Sequence, residues 1–228
     1  MNESFLQNKT VQIIFRLITA LAFTLFTAYQ IYLAVNIDTN RFGRLIGIAF
    51  YLMITVASFL DLSENDKVWM AHSVLLVVGL VLLFAMRLLS IGTVFSGLSF
   101  SNPSSVLNVA VYVLSQLGTL VLIAGYPAAR ADLTEKQMKR LIVTLMTIAI
   151  ALFTLHFILE CVLMIQYRMN IEQSLKYTLI SRVLYFIGFA GTAFCFMLPA
   201  PKRVHKAKPG QFIYSDEEDG DDEIDLVI

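Results

Sequence analysis

The chain has 228 residues, of which 57% are hydrophobic and 15% are charged, and its mean hydropathy is +0.72. Soluble domains average about 45–50% apolar and about 25% charged residues, so this composition excludes a water-soluble globular fold and indicates an integral membrane protein. The 17 basic residues are balanced by 17 acidic residues, so no basic excess is available to attract nucleic acid.

Six apolar stretches are each long enough to cross a hydrocarbon core of about 30 Å, which takes about 20 helical residues. Hydrophobic residues occupy all sides of each stretch, as is typical of helices in contact with lipid. The predicted spans are 11–35, 42–62, 68–87, 105–126, 139–166 and 178–198. We therefore expect an all-α integral membrane protein with about six transmembrane helices in one domain, residues 1–198. The segment after Arg87 has two interpretations, since it could extend the third helix or lie in the membrane interface.

The loops differ in their content of lysine and arginine, and this difference predicts the orientation. With six spans, both termini lie on the same side of the membrane as the second–third and fourth–fifth loops. With Arg16 and Arg87 left out because they lie within spans, that side holds ten basic residues in its loops, termini and span starts, against five on the opposite side. Cytoplasmic loops carry the excess of basic residues. We therefore expect a multi-pass protein of the plasma or inner membrane with both termini in the cytoplasm.

Polar residues are predicted to share one depth at the outer end of the spans. Glu160 lies 21 residues after Lys139, about 31 Å along a helix at 1.5 Å per residue. His156 is one turn deeper on the same face, because residues four apart stack on a helix. The other residues expected at this depth are Tyr29, Gln30, Arg44, Arg87, Arg182 and Tyr185.

These outer residues have a functional and a structural interpretation. In the functional one, Arg44, Arg87, His156, Glu160 and Arg182 form a vestibule for a small anionic solute or a lipid headgroup. Arginine suits that role because its planar guanidinium pairs with carboxylate or phosphate through two hydrogen bonds. In the structural one, the arginines extend to lipid headgroups, or Glu160 forms an ion pair with one of them.

Small residues predict close helix packing at two places. Gly43 and Gly47 form a GxxxG pattern at the start of the second span, and Gly188 with Thr192 has the same spacing in the last span. Small side chains allow helix backbones to approach and make more van der Waals contacts. We expect these residues to pack within one chain, with a homo-oligomer interface as the alternative.

The sequence contains no motif that indicates catalysis. His156 and Glu160 lack a nucleophile or a third metal ligand, so we expect no catalytic residue, no metal site, no cofactor and no enzyme activity. At the inner end, Asp61 and His72 flank a short polar turn, where we expect them to be solvated or hydrogen-bonded.

Residues 199–228 differ from the rest of the chain. Pro199 and Pro201 are expected to end the last helix, because proline has no amide donor and restricts the residue before it. Four basic residues follow, and then eight acidic residues lie between Asp216 and Asp225. Like charges at this density repel one another and cannot bury a core, so we expect a disordered, acidic cytoplasmic tail.

The last residues of this tail are a predicted partner site. Ile224, Leu226 and Ile228 form an apolar terminus that could add as a strand to a sheet edge in a partner protein. The terminus resembles a class II PDZ ligand and a SUMO-interacting motif. Alternatively, the tail only increases solubility, or it docks on the basic loop between the fourth and fifth spans.

The sequence thus predicts two functions. The first is a non-enzymatic membrane component that sits in the lipid bilayer and assembles with, or regulates, partner proteins through packed helices and the tail. The second is a binder or carrier of a small anionic solute or lipid headgroup that uses the outer arginine, glutamate and histidine cluster. Deletion of residues 209–228 should disable only the first function, whereas substitution of Arg87 or Arg182 should disable only the second.

Overall fold

A computed structural model describes residues 9–36, 41–63, 66–130, 136–167 and 172–198, and seven α-helices occupy these ranges. They are α1 (Lys9–Asn36), α2 (Arg41–Leu60), α3 (Asp66–Leu89), α4 (Ile91–Ser96), α5 (Pro103–Arg130), α6 (Lys136–Tyr167) and α7 (Glu172–Met197). Within these ranges, five segments are long and apolar enough to cross a membrane, and α2 adds a shorter apolar segment, Leu45–Leu60. The predicted all-α membrane fold with about six transmembrane helices is confirmed. The tail, residues 199–228, lies outside the described residues.

The six long helices form a closed antiparallel ring. Neighbours around the ring follow the order α1, α2, α3, α5, α6 and α7, and α7 packs back on α1. The interface between α3 and α5 is the least extensive in the ring, and the short helix α4 lies in the connection between them. We call the end with Lys9, Asp61 and Leu198 the tail end, and the end with Asn36 and the α3–α5 connection the far end.

Aromatic rings fill the centre of the ring of helices. Phe23 of α1, Phe153 of α6 and Phe189 of α7 are fully buried. The ring centroids of Phe23 and Phe189 are 5.3 Å apart, and those of Phe153 and Phe189 are 5.2 Å apart. Because lipid tails are as apolar as these side chains, helix association in a membrane depends on such close van der Waals contact. These aromatic contacts therefore hold α1, α6 and α7 together.

The predicted packing residues occupy different surroundings. A Cβ atom built on Gly188 would lie 3.0 Å from the ring of Phe23, so α7 approaches α1 closely at this glycine. Thr192 is buried, and its hydroxyl donates a 2.8 Å hydrogen bond to the carbonyl of Gly188. A Cβ on Gly47 would be 3.4 Å from the nearest methionine carbon of α3, a tight but less severe approach. The surroundings of Gly43 lie outside the described part of the chain.

Other glycines, Gly118 and Gly79 among them, mark close approaches that the sequence did not single out. A Cβ atom on Gly118 of α5 would lie 2.9 Å from the ring of Phe153, and one on Gly79 of α3 would lie 2.9 Å from Ile54. Such distances leave no room for a methyl group, so glycine lets each helix pair reach its observed separation.

The chain after Arg87 is a broken continuation of α3. The third long helix ends at Leu89, Ser90 forms a turn, and α4 begins at Ile91. Farther along, the side-chain oxygen of Asn102 accepts a 3.0 Å hydrogen bond from the backbone amide of Ser104. Asn102 thereby caps α5, and the next residue is a proline, which is favoured in the first turn of a helix. These local features place a short separate helix at the far end of the bundle.

Candidate functional site

A cavity of about 1030 Å³ lies at the far end of the bundle, and all seven helices contribute to its wall. We call it the far-end cavity. Its wall includes the buried side chains of Tyr51, Ser115 and Tyr185. At its rim, Tyr32 is 56% exposed, and Ser90 is also exposed. This gradient of exposure indicates that the cavity opens at the far end.

Arg87 is held at the cavity wall by hydroxyl groups. Its Nη1 atom donates hydrogen bonds to Tyr185, over 2.9 Å, and to Ser115, while Nη2 donates to Tyr51 over 2.8 Å. The hydroxyl of Tyr112 donates to the backbone carbonyl of Arg87. These partners are all neutral, and within the described ranges no carboxylate pairs with Arg87. The guanidinium charge therefore has no anionic partner in this part of the protein.

Arg182 differs from Arg87 because it pairs with a carboxylate. Its Nε atom lies 3.3 Å from Oε2 of Glu160, which joins α7 to α6. The Glu160 side chain is 7% exposed, whereas that of Arg182 is 32% exposed. The pair therefore extends from the buried wall toward the rim, and much of the positive charge of Arg182 is already balanced.

His156 is fixed by a backbone group of the neighbouring helix. Its Nδ1 atom lies 3.0 Å from the carbonyl oxygen of Val111 in α5. Because a carbonyl oxygen only accepts hydrogen bonds, Nδ1 carries the proton, and Nε2 is an acceptor when the imidazole is neutral. The imidazole also packs against the ring of Tyr185, with centroids 5.3 Å apart. His156 therefore offers the cavity a hydrogen-bond acceptor in its neutral form.

Four of the five residues predicted to form the vestibule line this one cavity, namely Arg87, His156, Glu160 and Arg182. The side chain of the fifth, Arg44, lies outside the described residues, as do the tail residues Ile224, Leu226 and Ile228.

Among the hydroxyl partners of Arg87, the sequence singled out Tyr185 but not the other three. Ser115, Tyr112 and Tyr51 lie within apolar stretches, where serine and tyrosine are also common in structural roles. The available indication was the three-residue spacing of Tyr112 and Ser115, which puts both on one face of α5.

A second polar cluster is buried at the tail end. Nε of Arg16 lies 3.2 Å from Oδ2 of Asp61, and Nε2 of His72 lies 3.6 Å from Oδ1 of the same carboxylate. Nδ1 of His72 lies 2.7 Å from the carbonyl oxygen of Ala57. All three charged or titratable side chains are buried, so Asp61 and His72 are paired inside the bundle rather than solvated. The cavity beside them is about 10 Å³, about the volume of one water probe, so it offers no space for a larger ligand.

Comparison with known proteins assigns no relative. No protein-family model, curated protein or solved structure matches the chain. In the ranges that the structure describes, no group of three or more histidine, cysteine, aspartate or glutamate residues could hold a metal ion. The function is therefore inferred from the residues of the far-end cavity.

Proposed function

We propose that this protein binds a small molecule with an anionic group in the far-end cavity. The observation that supports this is the set of neutral partners around Arg87, which contrasts with the carboxylates beside Arg16 and Arg182. A charge within the thickness of a membrane is unfavourable unless it is paired, and intramembrane charges commonly mark binding sites. A carboxylate or phosphate on the ligand would supply the missing negative charge.

The guanidinium of Arg87 has donors left for such a ligand. Arginine carries five N–H groups, and the bonds to Tyr51, Ser115 and Tyr185 use three of them. The Nε–H and one Nη2–H have no hydrogen-bond partner among the described residues. Two donors on one planar group match the two oxygens of a carboxylate or phosphate.

The size and lining of the cavity favour an organic ligand over a simple inorganic ion. Ligand pockets usually measure about 300–1000 Å³ and combine apolar walls with a few polar groups. The far-end cavity, at about 1030 Å³, has this mixture, since Phe26 and Tyr29 line it together with Arg87 and Glu160. The aromatic residues would contact the apolar part of the ligand.

Thermal unfolding of the purified protein in an uncharged detergent tests the proposal. Benzoate and phenyl phosphate serve as anionic probes, and benzyl alcohol is the neutral control. We expect the two anions, but not the alcohol, to raise the unfolding temperature in a saturable way, because a ligand that binds only the folded state stabilises it. The Arg87→Met protein should lose this response, and the Arg140→Met protein should keep it, since Arg140 is exposed near the tail end.

A second variant keeps the test valid if Arg87→Met fails to fold. Val94 lines the cavity from the short helix α4, and its side chain is half-buried. The Val94→Trp substitution fills part of the cavity without removing a charge, so it should weaken the anion response while the protein remains folded. A response to benzyl alcohol equal to that of benzoate, or no response to either anion in the native sequence, would contradict the proposal.

We also propose the orientation with the tail end in the cytoplasm of a plasma or inner membrane. The excess of lysine and arginine on the loops of that end supports it, and the far-end cavity would then face the outside. Fluorescent protein and alkaline phosphatase fused separately after Ile228 in a bacterial host test this. Fluorescence without phosphatase activity is expected, and the reverse pattern would contradict it.

A further inference from the structure

We infer that the ligand is an acidic amphiphile, with one carboxylate or phosphate on an apolar chain, and that it reaches the far-end cavity from the lipid bilayer. This inference rests on the proposed function of the cavity and adds the class of ligand and its route of access.

The first observation is the apolar surface of the connection between α3 and α5. Leu89 is 87% exposed and Phe100 is 86% exposed, and Ile91 and Phe95 are each 44% exposed. A run of large exposed apolar side chains is unfavourable in water but stable at the boundary between the headgroups and the acyl chains of a membrane. The connection is therefore immersed in the interfacial layer of the bilayer.

The second observation is that the same connection forms part of the cavity wall. Ser90, Val94 and Gly97 all line the cavity, and Val94 is followed directly by the exposed Phe95. The short helix α4 thus contributes Val94 to the cavity while it exposes Phe95. Since α3 and α5 have the least extensive interface in the ring, this short helix is a thin boundary between the cavity and lipid.

The third observation is the chemistry of the cavity wall. In the described residues that line it, Arg87 is the one cation that has no carboxylate beside it, and Phe26, Tyr29 and Tyr32 add aromatic surface. A single anionic group would bind at Arg87, and an apolar chain would extend past the aromatic rings toward the rim. An inorganic anion alone would leave most of the 1030 Å³ without contacts to the ligand.

The first experiment uses the full-length protein in phosphatidylcholine nanodiscs. Dodecanoate and dodecyl phosphate are the membrane-resident anions, dodecanol is the neutral control, and benzoate and inorganic phosphate are the water-soluble anions. Bound molecules are counted by native mass spectrometry. We expect the two twelve-carbon anions to bind saturably at roughly a tenfold lower concentration than dodecanol. One charge-assisted hydrogen bond is enough to produce an affinity difference of this size. Val94→Trp should weaken this binding, and Arg140→Met should leave it unchanged.

The outcomes separate this inference from the proposed function. If benzoate or inorganic phosphate binds as well as the twelve-carbon anions, the assignment of an amphiphilic ligand is overturned, but the proposed anion site remains. Absence of binding by all of the anions, or equal binding of dodecanol and dodecanoate, would overturn both.

A second experiment tests access from the bilayer. Trp69 is the single tryptophan of the chain, so the Trp69→Phe background allows one new tryptophan to be observed at a time. In this background, Phe95→Trp should be quenched strongly by dibrominated phosphatidylcholine and weakly by aqueous acrylamide. Val94→Trp should be quenched less by brominated lipid, because that residue faces the cavity. Strong acrylamide quenching with little lipid quenching at residue 95 would overturn access from the bilayer.

Discussion

The Nη2 atom of Arg87 donates a 2.8 Å hydrogen bond to the hydroxyl of Tyr51, and this bond joins α3 to α2. The ring of Tyr51 also packs edge-on against Phe26, with centroids 4.9 Å apart. One side chain therefore belongs both to the aromatic core and to the cavity wall. This double role makes the hydroxyl of Tyr51 a test of how much the Arg87 network stabilises the fold.

We expect Tyr51→Phe to lower the free energy of unfolding by about 1.5–3 kcal/mol, the usual contribution of a hydrogen bond to a charged group. The ring stays, so its contact with Phe26 is kept. Unfolding in detergent with increasing denaturant measures the change. Tyr32→Phe is the matched control, because Tyr32 is 56% exposed at the rim, and it should leave stability unchanged. Equal stability of the Tyr51→Phe and native proteins would contradict the prediction.

The Glu160–Arg182 ion pair should respond unequally to loss of its two members. In Arg182→Met, the buried carboxylate of Glu160 loses its cation, and an unpaired buried charge is strongly destabilising. In Glu160→Gln, Arg182 can turn its partly exposed guanidinium toward water or headgroups. We therefore expect a larger fall in unfolding temperature for Arg182→Met than for Glu160→Gln. The opposite order would mean that Glu160 is stabilised by other groups.

In the buried cluster at the tail end, we expect a double substitution to be less destabilising than loss of one charged residue alone. Asp61→Asn leaves the charge of Arg16 buried without its carboxylate, and removal of one member of a buried pair typically costs about 3–5 kcal/mol. A double variant, Arg16→Met with Asp61→Leu, should recover much of that loss because no buried charge is left unpaired. Denaturant unfolding of Arg16→Met, Asp61→Leu and the double variant measures the coupling energy. Additive losses in the double variant would argue against a buried pair.

The glycine contacts allow a matched comparison between two substitutions. Gly118→Ala places a methyl group 2.9 Å from the ring of Phe153, and such overpacking costs about 1–3 kcal/mol. Gly92→Ala in α4 meets no atom within 4 Å and should raise stability slightly, since alanine favours helix over glycine by about 1 kcal/mol. Thermal unfolding should therefore shift in opposite directions. A similar shift in both proteins would show that helix propensity outweighs packing at Gly118.

Removal of residues 209–228 distinguishes the two predicted functions. The residues of the far-end cavity all lie before residue 198, so we expect the shortened protein to keep its thermal response to benzoate. If the tail mediates assembly, association with partner proteins should be lost in the same variant. A shortened protein that folds normally but no longer responds to benzoate would connect the tail to the cavity and contradict the separation.

The sequence predicted how deep in the membrane the cavity residues lie, but it did not predict which residues they contact. Helical rise is constant, so residue number alone puts Arg87, Glu160 and Arg182 at one level in the bilayer. The partners of Arg87 depend instead on the order of helices around the ring. Because these helices are apolar on all sides, their hydrophobic pattern does not indicate which faces meet. For this reason the contact with Tyr51 became visible only in the structure.

The burial of Asp61 in the tail-end cluster also could not be predicted from the sequence. Asp61 follows the last residue of α2, and a polar turn at a helix end usually faces water. Its carboxylate is instead buried and paired with Arg16, which is 45 residues earlier and reaches it from α1. No local pattern encodes this long-range pairing. Sequence alone therefore predicts the element that contains Asp61 but not the environment of its side chain.

The closure of the ring by α7 on α1 has a consequence for biosynthesis. The contact between Phe23 and Phe189 joins the first and last long helices described. Arg16 can meet Asp61 once α1 and α2 have left the ribosome and entered the membrane, but Arg87 lacks Tyr185 until α7 has followed. The Arg16–Asp61 pair can therefore form before the far-end cavity, which needs residues of all seven helices. A chain that stalls before α7 would reach the membrane partly assembled, without a complete binding site.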